Sequence, residues 1–214
     1  MKWWAGLAAA TVVVVAALIF WSAGSGAENF GENVVRDLAT TSPAPPSTAG
    51  PVPPVAVQQG LPAVRVPVRP VRLSIPAIGL RAQVVPTGVD DKGEFFVPPS
   101  VDEVGWYRFG PGLGETAGSV VIGGHVDDAE SGPGAFYRLR DLTGGDPISV
   151  TGEDGSTRVF RVVAKEQVPK KTLDLTPYFS TGGSVRLTLF TCGGTLDDDV
   201  RSYVDNVIVT AAPV

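Results

Sequence analysis

The chain has 214 residues, 43% of them apolar and 18% charged, a balance that supports one packed core and excludes wholesale disorder. A formal net charge of −5, with no cluster of Lys and Arg, removes the electrostatic footprint that phosphate backbones require and argues against nucleic acid as a partner. One cysteine and one histidine exclude an internal disulfide and a four-ligand structural zinc site.

Residues 3–21 read WWAGLAAATVVVVAALIFW without a charge. Roughly 20 such residues at 1.5 Å each cross the ~30 Å hydrocarbon layer of a bilayer. Lys2 precedes the run, and Trp3, Trp4 and Trp21 stand at its ends, where indoles favour the headgroup region. The expectation is an N-terminal transmembrane signal anchor over 1–24, touching the membrane through residues 3–22. Its N-terminus is cytoplasmic, and the chain beyond the anchor is extracytoplasmic, held at the cell membrane. Ser22-Ala23-Gly24 and Ser25-Gly26-Ala27 offer small residues for a competing reading, a cleaved signal peptide, but the apolar run exceeds the usual h-region.

Residues 25–70 read as a Pro/Ala/Ser-rich linker. From Ser42 to Pro70 the chain is crowded with proline, including Pro45-Pro46 and Pro53-Pro54, which removes backbone donors and fixes φ repeatedly. About 28 extended residues at ~3.1 Å each reach on the order of 80 Å, a spacer that would hold the next domain clear of the membrane.

Residues 71–214 carry the foldable domain. Short β-rich runs broken by Gly, Pro and Asp indicate an all-β barrel or sandwich rather than alternating βα units. Strands are expected at Val71 to Ile75, Gln83 to Pro86, Glu94 to Val97, Ser119 to Gly123, Pro147 to Thr151, Thr157 to Val168, Ser184 to Thr191 and Ser202 to Thr210. Eight strands suggest closure into a barrel. Helical pattern is sparse: Phe136, Leu139 and Arg140 share one face of a two-turn helix over Ala135 to Leu142, and Ser100 to Tyr107 holds another turn.

Two residues carry the candidate chemistry. Cys192 ends the apolar run from Ser184 and meets Gly193-Gly194, so its thiol projects from a strand end into a permissive turn. A free cysteine is more often a small buried hydrophobe. The only histidine, His125, also ends an apolar strand and also has glycines beside it. A free thiol is only a few per cent ionised at neutral pH, so an imidazole that exchanges a proton with it changes its reactivity.

These residues resemble a known family. Thr188-Leu189-Phe190-Thr191-Cys192 is similar to the TLxTC signature of sortases, and Gly124-His125 after an apolar strand to their histidine site. Ser74-Ile75-Pro76-Ala77-Ile78-Gly79-Leu80, Gly105-Trp106-Tyr107 and Asp205-Asn206-Val207-Ile208-Val209 extend the likeness from Val71 to the C-terminus, most like the class F or class E enzymes of actinobacteria. The resemblance implies an eight-stranded sortase-type β-barrel with one or two short helices. It also implies a cysteine transpeptidase that cleaves an LPxTG-like sorting signal of secreted surface proteins through a thioester on Cys192, with His125 moving the proton. The acyl acceptor would be an amine of a peptidoglycan precursor or a pilin, and no cofactor is needed.

The family also carries an arginine that donates hydrogen bonds at the site. Arg201 is the arginine after Cys192 and takes that role in this reading, although many sortases place theirs nearer the final strand, where this chain has Val204, Asp205 and Asn206. Arg186 is the substitute. Asp127 and Asp128, with Asp197, Asp198 and Asp199, lack the spacing of a calcium loop, and no metal is expected. Two alternatives stay open: a non-enzymatic, membrane-anchored β-barrel adhesion or binding module, in which Cys192 is inert, and another cell-wall Cys/His transpeptidase.

Overall fold

The structure is a computed structural model that describes residues 28–41, 67–91, 93–197, 199 and 201–214. The expected membrane anchor and the proline-rich part of the linker lie outside these residues. Among the described residues, no helix is long and apolar enough to cross a membrane.

Ten strands form: β1 (Pro70–Ile75), β2 (Leu80–Thr87), β3 (Glu103–Tyr107), β4 (Ser119–Gly124), β5 (Asp127–Asp128), β6 (Gly132–Pro133), β7 (Pro147–Gly152), β8 (Thr157–Pro169), β9 (Arg186–Asp197) and β10 (Ser202–Pro213). Eight of them close a barrel in the order β1-β2-β3-β4-β9-β10-β8-β7, while β5 and β6 pair as a separate small ribbon. The β2–β3 and β4–β9 pairs are parallel and the other barrel pairs antiparallel.

Period-two alternation sorts the side chains of β9 and β10 between two apolar layers. Leu187 and Leu189 of β9 and Val207, Val209 and Ala211 of β10 point into the barrel, with Leu73, Ile75, Val104, Trp106 and Ile122. The intervening Phe190 and Ile208 point outward and join a second cluster with Val35, Ala164, Tyr178, Leu173 and Phe179. Two helices cover that outer face: α1 (Glu32–Thr40) and the single turn α2 (Thr176–Phe179).

The helix α1 was not expected within the linker. Hydroxyls reinforce its last turn: Thr40 Oγ1 donates to Arg36 O at 3.1 Å, and Thr41 Oγ1 donates at 2.7 Å to Asp37 O, which also accepts from Thr41 N at 2.9 Å. Proline at position 43 then stops the helix. Val35, 2% exposed, is its buried anchor. The segment is fastened on both sides, by a pair of 2.9 Å backbone bonds between Phe30 and Lys165 and by Ser184 N donating to Leu38 O at 2.8 Å.

Three local expectations are corrected. Glu94 to Val97 is no strand: Phe95 makes a single bridge to Val89, because Pro98-Pro99 removes the donors a ladder would need next. Ser100 to Tyr107 holds its turn only at residues 101–102, closed by Glu103 N donating to Ser100 O at 3.3 Å, and then supplies the unexpected strand β3, its Val104 and Trp106 alternating into the core between β2 and β4. The count of eight barrel strands is thereby preserved. Ala135 to Leu142 is a series of turns with a 3-10 segment at Leu139–Asp141. Its fully buried residues are Phe136, Leu139 and Leu142, a spacing of three that suits a 3-10 turn, and Arg140 is exposed.

Candidate active site on the outer face of the barrel

Strand pairing joins the two chemically distinctive residues. In the parallel β4–β9 ladder Gly123 stands opposite Phe190. Two residues further along both chains lie His125 and Cys192, so positions far apart in sequence meet at one end of the same ladder. Both are half-buried. Both point outward, since Ile122 and Leu189 on the opposite parity face the core. On its other side Cys192 pairs with Asn206 of β10.

His125 Nε2 lies 2.9 Å from the Pro98 carbonyl. A carbonyl only accepts, so Nε2 carries the proton in either charge state of the ring, and Nδ1 is the atom left to exchange one. Pro98, unremarked in the sequence, thus orients the imidazole. Beyond the histidine, Tyr203 Oη donates to Asp127 Oδ2 at 2.6 Å, which ties the start of β10 to the loop after β4. That bond to Asp127 holds the Tyr203 phenol above its usual range.

Cys192 and His125 border two depressions. The first is a polar cleft of about 620 Å³ lined also by Asp127, Asp128, Arg201 and Tyr203. The second is a groove of about 630 Å³ floored by Phe95, Tyr107, Phe179 and Phe190, with Lys170 and Asn206 at the cysteine. Its aromatic wall is continuous: Phe179 sits 5.2 Å from Tyr107, 5.6 Å from Phe190 and 6.2 Å from Phe95 between ring centroids. Gly123 belongs to this floor, because a Cβ there would run into the Phe95 ring.

The arginines separate. Arg201 does line the cleft, from the β9–β10 turn, where it is exposed and adopts φ 51°, a left-handed conformation uncommon outside glycine. Arg186 does not reach the site. It is fully buried and donates to the carbonyls of Gly182, Ser184 and Pro177, and burial lowers its pKa. The two aspartates after the histidine are hydrogen-bonded within the protein: Asp127 Oδ2 accepts from Tyr203 of β10, and Asp128 Oδ1 accepts from the backbone of Ser131 and Glu130, bonds that hold its carboxyl below the usual range. Among the described residues, no group of three or more His, Cys, Asp or Glu is gathered as a metal site.

One residue near the sulfur escaped the sequence reading. Lys170, just past β8, directs Nζ to within 3.7 Å of Cys192 Sγ. In the sequence it is half of a Lys170-Lys171 pair at a strand end, indistinguishable from ordinary surface charge.

No curated protein matches the chain by sequence. By structure the chain is similar to sortase A of Corynebacterium diphtheriae, with TM-score 0.50 and 25% identity over 70% of this chain and 62% of that one. It has the fold of sortase C-1 of Actinomyces oris, with TM-score 0.53 and 21% identity over 67% of this chain and 72% of that one. It also has the fold of sortase C2 of pilus island 1 of Group B Streptococcus, with TM-score 0.51 and 17% identity over 67% and 72% of the two chains. This chain spans under two thirds of the length of the Corynebacterium enzyme. A family model described as the sortase domain matches residues 73–214, two thirds of the chain, and the chain belongs to the sortase family of cysteine transpeptidases.

Proposed function

We propose that this sortase cleaves an LPxTG-like sorting signal of secreted surface proteins and transfers the released carboxyl group to an amine of a peptidoglycan precursor or pilin. The observation that carries the reading is the β4–β9 register, which brings the only histidine and the only cysteine to a shared groove. The aromatic floor suits the apolar side chains at the start of such a signal, and the cleft beyond the sulfur leaves an approach for the acceptor.

In this reaction Cys192 Sγ attacks the threonyl carbonyl, the bond to glycine breaks, and His125 protonates the departing amine. The thioester is then attacked by the acceptor amine, which loses a proton to the imidazole as the sulfur leaves. Arg201, exposed at the cleft, is available to hold substrate carbonyl groups. The class F or class E assignment rests on the sequence motifs, and the location outside the cytoplasmic membrane rests on the apolar run at residues 3–21.

The test uses the full chain in mild detergent with an LPxTG peptide library and a small amine, read by mass spectrometry. A peptide thioester on Cys192 that is absent in Cys192→Ala and scarce in His125→Ala is expected. No adduct with any peptide, together with a thiol inert to alkylation, would return the chain to the binding-module reading.

A further inference from the structure

The β-ladders determine which way Lys170 points. Val168 of β8 pairs with Asn206 of β10, and Asn206 pairs with Cys192 of β9, so these three side chains share one face of the sheet. Lys170 is two residues past Val168 and falls on that face, its backbone N donating to Val204 O at 3.0 Å. Its Nζ then contacts Cys192 Sγ at 3.7 Å and Ser202 Oγ at 3.1 Å. An ammonium has donors only, so both contacts are donated by the lysine. The ion pairs among the described residues join Arg69 to Glu153 and Arg138 to Asp141, and Lys170 is in neither. Among the described residues, then, no carboxylate forms an ion pair with it, and its charge is aimed at the sulfur.

Arg201, by contrast, lines the cleft and not the groove.

We propose that Lys170 is a catalytic residue of this enzyme, the cation that acts on the reacting sulfur. It stabilises negative charge on Sγ before attack. When the charge moves to the carbonyl oxygen bound to the same carbon, its flexible stem and three donors let it follow while Ser202 keeps its place. The lysine stays protonated throughout, so no proton or electron is added to the reaction. The inference deepens the transpeptidase reading and rests on it for the second half of this role.

The experiment compares the full chain with Lys170→Gln and Lys170→Arg. Alkylation of Cys192 by iodoacetamide, followed across the neutral pH range, needs no sorting signal and so reports on the lysine separately from the proposed substrate. Expected is a roughly tenfold slower alkylation at neutral pH in Lys170→Gln, with recovery in Lys170→Arg. With a reactive peptide, Lys170→Gln should lower kcat for thioester formation about tenfold more than it changes KM. Equal alkylation profiles in wild type and a Lys170→Gln protein of unchanged melting temperature would overturn the inference. So would an acyl group recovered on Lys170 Nζ, which would make it a nucleophile rather than a cation.

Discussion

Replacing Val35 by alanine isolates the contribution of the helix that the proline-rich region conceals. Val35 is 2% exposed against Ala164, Tyr178 and Ile208, whereas its neighbour Val34 is 38% exposed. The substitution removes two methyl groups, at about 0.8 kcal/mol each, and leaves a small unfilled space, while the better helix propensity of alanine returns about 0.5 kcal/mol. The net loss is about 1.5 kcal/mol, or a fall of roughly 3–6 °C in melting temperature for a domain of this size. Val34→Ala makes the identical chemical change at an exposed site and should shift stability by no more than ~0.5 kcal/mol. Calorimetry of both variants, with hydrogen exchange of the α1 amides, is the assay. If the two variants melt alike and the α1 amides exchange as fast as those of a free peptide, α1 contributes nothing to the fold and its docking is refuted.

Gly123→Ala puts a methyl group into the Phe95 ring, which is already held between Tyr107 and Phe179. Acylation by peptide should fall about tenfold in kcat/KM, from overpacking of order 1–3 kcal/mol, while iodoacetamide alkylation of Cys192 is unchanged; unchanged acylation would remove the groove from the donor path. Glu166 is buried and accepts from Tyr178 Oη at 2.9 Å. Burial pushes its carboxyl up, with the Tyr178 bond pulling the other way. A pKa raised on folding contributes stability that is present below the ordinary carboxylate range and is lost as pH rises through the folded value. Glu166→Gln keeps an acceptor for Tyr178 and should gain in melting temperature over wild type progressively from acid to neutral pH; a constant difference would refute this. Tyr203→Phe removes the 2.6 Å bond to Asp127 and should slow thioester formation roughly three- to tenfold with only a small change in melting temperature.

The apolar alternation of β9 and β10 was legible in the sequence because a strand records its two faces in every second residue. Likewise, Cys192 and His125 stood out as unique residue types at strand ends beside glycines. Local pattern was also where the reading went astray. Glu94 to Val97 and Glu103 to Tyr107 are comparably β-rich segments, and only the open ladder position between β2 and β4 decides which becomes a barrel strand. The Phe136, Leu139, Arg140 spacing looks like one helical face, whereas the tighter turn buries Phe136, Leu139 and Leu142 and leaves Arg140 exposed.

By itself, the sequence determined the strand-rich domain, its single thiol and single imidazole at strand ends, and the apolar and proline-rich segments ahead of it, since each is written in neighbouring residues. Tertiary structure decided the rest. The β4–β9 register joins His125 to Cys192, the β8–β10–β9 ladders carry Lys170 to the sulfur, and the outer face of the barrel gives Val35 a place to dock. Each depends on which distant strand lies alongside, a choice made by the closure of the whole barrel and not recorded in any local run of side chains.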